Sequence, residues 1–116
     1  DLQTVTYFTE RFDLPPTRVP DIQDEYISIN GEHIDRGNEL TEDAQELVGH
    51  LSGLVPIGLA SNTRRSLVDR ILAQLPFGGS FGAIATGDEV APKPAPDVYR
   101  LACERIGVDP ASSVAV

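Results

Sequence analysis

The chain has 116 residues, 41% of them apolar, with nine Lys and Arg against 18 Asp and Glu and a formal net charge of −9. That length suits one domain, or one domain with an appendage, and the apolar share separates it from disordered chains. The acidic balance argues against a nucleic-acid partner, because neutralising phosphates takes clustered cations and Arg64-Arg65 is the only adjacent basic pair.

No apolar run approaches the roughly 20 residues needed to span a bilayer. The opening Asp1-Leu2-Gln3-Thr4 has neither the basic stretch nor the apolar core of a secretory signal. Cys103 is the only cysteine, which excludes an intramolecular disulfide and a cysteine-based metal site. A soluble cytoplasmic protein without membrane association is expected. The absent initial Met suggests a segment or a processed product.

In chain order, Leu2, Val5, Phe8 and Phe12 recur at helical steps and predict a short amphipathic helix ended by Pro15-Pro16. A second helix is expected from about Pro20 to Ile29, with Ile22, Tyr26 and Ile29 on one face, before a turn-like Asn30-Gly31-Glu32-His33. Thr41 suits an N-cap, Glu42 and Asp43 suit the first turn, and Ala44, Leu47, Val48 and Leu51 form the apolar stripe of a third helix closed by Gly53. Leu54 to Ala60 reads as a strand buried on both faces, with Pro56 near its start. Leu67, Val68, Ile71, Leu72 and Leu75 mark a fourth helix, and Pro76 to Gly82 a Gly-rich loop. Gly78-Gly79 is a turn and not a phosphate loop, since no Gly-Lys-Ser or Gly-Lys-Thr follows.

Ala83 to Thr86 predicts a second strand and Gly87 to Pro94 an irregular segment. A fifth helix opens at Pro96-Asp97, shows Tyr99, Ala102, Cys103 and Ile106 on one face, and stops at Gly107. Val114-Ala115-Val116 begins a third apolar run. This alternation is that of an α/β doubly wound parallel sheet, whose ligands bind beyond the C-terminal strand ends. Ser61, Asn62 and the stretch after Thr86 fall on that edge.

Two motifs there carry chemistry. Ser61-Asn62 lies between a buried strand and a helix, where a hydroxyl and free backbone N–H groups can hold a phosphate; by position alone the N-cap is the commoner use of such residues and is the favoured reading. Lys93 lies in Val90-Ala91-Pro92-Lys93-Pro94-Ala95-Pro96, where three prolines fix the backbone around one cation. An ammonium so held can stabilise charge on a transferring phosphoryl group, although taken alone Lys93 reads rather as a solvated surface lysine. Asp88-Glu89 reads as a hydrated acidic pair, and His33 and His50 as isolated solvated residues.

Leu59-Ala60-Ser61-Asn62-Thr63 is similar to the second motif of haloacid dehalogenase-like phosphatases, and Lys93-Pro94-Ala95-Pro96-Asp97-Val98-Tyr99 to their third. The segment between them resembles the subgroup containing phosphoglycolate phosphatase and β-phosphoglucomutase. The resemblance implies an incomplete Rossmann-like core over residues 37–116 and the distal part of a helical cap domain over residues 1–36. It implies hydrolysis of a small phosphorylated metabolite, with Mg²⁺, through an aspartyl-phosphate. In that scheme Ser61 binds the phosphate through its hydroxyl, Asn62 through its backbone, and Lys93 is the catalytic and phosphate-binding cation.

The chain departs from the family pattern in lacking Asp-x-Asp after an apolar run, and in carrying Pro92 where a glycine is frequent before the lysine. The acidic metal-ligand pair of the fourth motif would follow Val116. The exact polypeptide is therefore expected to be inert and to fold poorly, because the missing first strand belongs at the sheet centre. Rival readings are a phosphosugar mutase of the same family and a non-catalytic remnant that binds phosphorylated ligands or a protein. A dehalogenase fits the two motifs less well.

Overall fold

The computed structural model describes residues 2–37 and 42–116. Among the described residues there are five α-helices and a two-stranded sheet: α1 (Leu2–Arg11), α2 (Val19–Asp35), α3 (Glu42–Leu51), α4 (Arg65–Gln74) and α5 (Asp97–Ile106). The strands β1 (Gly58–Ser61) and β2 (Ala83–Thr86) pair in parallel, Gly58 opposite Ala83 and Ser61 opposite Thr86. Such pairing needs a crossover, supplied by α4 and the 3-10 turn Gly78–Ser80. The core lies where α5 covers this sheet: Ala85, Val98 and Ala102 are buried, with Ala60, Val90 and Leu101 packed around them. Here α/β alternation and a parallel sheet are as the sequence predicts.

The first strand is shorter than expected. Gly53 adopts φ +84, and the N–H groups of Leu54 and Val55 both bond back to the Leu51 carbonyl at 3.0 and 3.2 Å. Those donors unwind the end of α3 and are lost to a ladder, while Pro56 has none to give. Leu54 and Val55 are accordingly exposed, at 77% and 50%. Val114 and Val116 form no strand and are exposed: among the described residues the sheet is β1 and β2 alone, and this run finds no ladder partner.

The predicted turn at Asn30–His33 is instead the last part of α2. Asn30 Nδ2 donates to the Tyr26 carbonyl at 2.7 Å, which satisfies its side chain inside the helix, and Gly31 and Ile34 are buried against α4. A Cβ at Gly31 would meet the Arg70 guanidinium, which reaches past it to pair with Asp35. Packing thus overrides the turn propensity of Asn-Gly.

The buried helix faces differ from the sequence pattern for the same reason. Tyr26 and Ile29 of α2 are exposed and its buried side runs through Gly31 and Ile34. In α1, Val5 and Thr9 are buried while Phe8 and Phe12 stack with each other in solvent, ring centroids 6.1 Å apart. The Thr9 hydroxyl is satisfied by the Val5 carbonyl at 2.8 Å. In α4, Leu67 and Val68 are buried as expected. The N-cap predicted at Thr41 lies outside the described residues. Gly107 closes α5 at φ +76, a conformation that favours glycine.

Candidate functional site

The loops leaving β1 and β2 meet at the C-terminal edge of the sheet. Ser61 ends β1, and its Oγ accepts a hydrogen bond from the Thr63 N–H at 3.1 Å, turning the chain toward α4. Its own O–H can still donate to a ligand. Neither Ser61 nor Asn62 is the N-cap of α4: that position is Arg64, and the helix N–H of Arg65 is met by the carboxylate of Asp88, at 3.1 and 3.3 Å.

Asn62 performs a different task. Its Oδ1 accepts from the Lys93 N–H at 2.7 Å, and its Nδ2 donates to the Lys93 carbonyl at 3.1 Å. Both polar ends of the side chain are engaged in this two-point clamp. Gly87 runs close beneath: a Cβ there would sit 3.0 Å from the Asn62 backbone.

Lys93 is half-buried, and its Nζ donates to the Ala60 carbonyl at 2.9 Å, one residue before Ser61. The Tyr99 ring lies against the ammonium, 4.8 Å from ring centroid to Nζ, which attracts the cation through its negative face. This explains why Tyr99, expected on the core face of α5, is 40% exposed while Val98 and Ala102 take the core. Lys93 is therefore no solvated surface lysine. Ser61, Asn62 and Lys93, 32 residues apart at the extremes, form one connected group.

The acidic pair is equally engaged. Asp88 caps α4 from a distance, and Glu89 accepts from Thr86 and Arg105. Arg105, above all, and then Thr86 hold the Glu89 carboxyl well below the usual carboxylate range, at about 2. The reading of Asp88-Glu89 as merely hydrated is corrected here: backbone and side-chain donors from α4, β2 and α5 converge on the two carboxylates. Cys103 is half-exposed, not a core residue, with its Sγ 3.7 Å from Ser113 Oγ. His33 and His50 are exposed, as expected.

Between this edge and the first two helices opens a cleft of about 320 Å³. Gln23, Tyr26 and Ile27 of α2 line one side; Asn62, Arg64 and Asp88 line the other. Gln23 did not stand out in the sequence, because only the docking of α2 on α4 brings it near Asn62, and Arg64 was noted only as half of an adjacent basic pair. Among the described residues no group of three or more His, Cys, Asp or Glu side chains could hold a metal ion, and no helix is long and apolar enough to cross a membrane.

Comparison with known proteins extends these observations. A family model described as haloacid dehalogenase-like hydrolase matches residues 8–116. A protein CbbY of Rhodobacter capsulatus is 44% identical over 63 residues, covering 51% of this chain and 28% of that protein. A bifunctional riboflavin kinase/FMN phosphatase of Arabidopsis thaliana is 29% identical over 118 aligned positions, covering 99% of this chain and 31% of that protein. The chain thus spans less than a third of the length of either relative.

Proposed function

This chain belongs to the haloacid dehalogenase-like hydrolase family, and from that premise we propose that it is the phosphate-holding part of a phosphatase acting on a small phosphorylated metabolite. The observation that carries the reading is the clamp that joins Asn62 to Lys93 and sets the ammonium beside the end of β1. A cation fixed in that way stabilises charge on phosphoryl oxygens without reorganising during the reaction. Ser61 donates its hydroxyl to the phosphate, Asn62 its backbone N–H, and Lys93 neutralises the phosphoryl oxygens and the attacking carboxylate. The FMN phosphatase among the relatives supports a phosphate monoester as substrate.

In this reading residues 1–36 are the distal part of a cap domain and residues 37–116 part of the Rossmann-like core, with the substrate's organic portion in the cleft between them. The nucleophilic aspartate, which forms an aspartyl-phosphate and expels the alcohol before water releases the phosphate, comes from outside these 116 residues. Magnesium would supply further charge neutralisation, but the described side chains do not fit it, so its ligands also belong elsewhere. The phosphoglycolate phosphatase and β-phosphoglucomutase subgroup is the branch favoured by the strings around Ser61 and Lys93.

Phosphate release from small esters by the full-length protein carrying this segment tests the reading. Wild type should turn over in the presence of Mg²⁺, and Lys93→Ala should lower kcat about 10²- to 10³-fold, as for loss of one charge-stabilising donor. Equal rates for the two would sink it. The 116-residue chain alone should release no phosphate with any metal; turnover by the pure chain would overturn the assignment of the nucleophile to another segment.

A further inference from the structure

The segment from Thr86 to Lys93 is fastened at three places. Asn62 clamps its far end, and Asp88 ties its near end to the start of α4. The third fastening is Glu89, which joins the loop to the last turn of α5. Glu89 Oε2 accepts from Thr86 N at 3.0 Å, Thr86 Oγ1 at 2.8 Å and Arg105 Nη1 at 3.0 Å, while Oε1 accepts from Arg105 Nη2 at 2.7 Å. Arg105 Nη1 also donates to the Ile84 carbonyl of β2.

The geometry is that of a bidentate fork, which fixes direction as well as distance. Thr86 is fully buried, so both of its donors rely on Glu89. The side chains of Arg105 and Glu89 are 37% and 27% exposed, and exposed pairs contribute little to stability. Four donors on one partly exposed carboxylate are therefore a better account of where the loop goes than of how the fold is held. The carboxyl titrates near 2, so the fork stays intact throughout the neutral range.

We propose that Glu89 and Arg105 are positioning residues: the fork between them sets the path by which the chain leaves β2, and so where the Lys93 ammonium stands relative to Ser61. The inference rests on the reading of Lys93 as the phosphate-facing cation. Glu89 is not a catalytic residue; it acts four positions away through the backbone of Val90 to Pro92.

Glu89→Gln separates this role from a structural one. Its amide oxygen replaces Oε2 and keeps both Thr86 bonds, while its NH₂ faces Arg105 Nη2, so donor meets donor and the fork opens. In the full-length protein with p-nitrophenyl phosphate, kcat should fall between about tenfold and a hundredfold, in the range of an ångström-scale misplacement. The melting temperature should barely move, and inorganic phosphate should bind more weakly. Arg105→Gln should reproduce the loss from the other side.

The decisive comparison is non-additivity: Glu89→Gln combined with Lys93→Ala should be no slower, and bind phosphate no worse, than Lys93→Ala alone. If the two losses multiply, or if Glu89→Gln changes neither rate nor phosphate affinity, the positioning role is wrong while the functional reading stands. If Lys93→Ala by itself leaves rate and phosphate affinity intact, the functional reading falls and this inference with it, a result obtained without any Glu89 variant.

Discussion

Asn62 illustrates how one side chain decides the usefulness of another. It neither caps a helix nor points into solvent; it reads both backbone polar groups of Lys93. Asn62→Asp keeps the acceptor for Lys93 N but sets a carboxylate oxygen against the Lys93 carbonyl. We expect turnover to fall at least as far as for Lys93→Ala, and stability by about 1–3 kcal/mol for the misfit polar groups, checked by denaturant unfolding. Glu89 provides a second residue-scale expectation. Its carboxyl has an ordinary value of 4.5 and sits at about 2 when folded, so its stabilisation is fully present above 4.5 and is lost as pH falls toward 2. Any melting-temperature difference between wild type and Glu89→Gln, small at neutral pH because the pair is partly exposed, should be flat from pH 5 to 8 and vanish across that acid window. The strings around Ser61 and Lys93 were legible in the sequence because their residue types and prolines stand in sequence order. The Glu89–Arg105 fork was not, since its partners are 16 residues apart and only the return of α5 across β2 brings them together.

Helices and strands were recognisable from apolar spacing, yet which face each would bury was not. In α1, α2 and α5 the buried side is turned from the predicted one, since the face that packs is set by the neighbouring element and not by the largest apolar residues available. Strand β1 begins late because the unwinding end of α3 claims the donors of Leu54 and Val55, a competition no pattern of apolar residues encodes. Val98, fully buried beneath the sheet, should lose about 2 kcal/mol as Val98→Ala in the same unfolding assay. Gly78 is the tightest joint between elements: a Cβ there would run into the Leu72 backbone at the end of α4, which cannot swing aside as a flexible side chain could. Gly78→Ala should cost about 1–3 kcal/mol, whereas Gly31→Ala, which meets only the far end of Arg70, should stay within about 1 kcal/mol.

The molecule as a whole is extended for its length. Its radius of gyration is 16.1 Å, against about 13 Å for a compact domain of this size, and its accessible surface is 7989 Å² against roughly 6,200 Å². The excess includes the exposed apolar side chains of Phe8, Phe12, Leu54, Val55 and Val114. The isolated chain should therefore bind a hydrophobic dye and self-associate as its concentration rises in light scattering; a monodisperse, dye-silent monomer would show that these faces need no cover. The Asn62–Lys93 clamp carries a further consequence. It joins positions 31 residues apart, so the proposed phosphate-holding geometry exists only after that long loop has closed. An anion held there is a ligand of the folded state alone: it shifts the folding equilibrium by mass action, and its apparent affinity for the segment is its intrinsic affinity diluted by the fraction of chains that are folded.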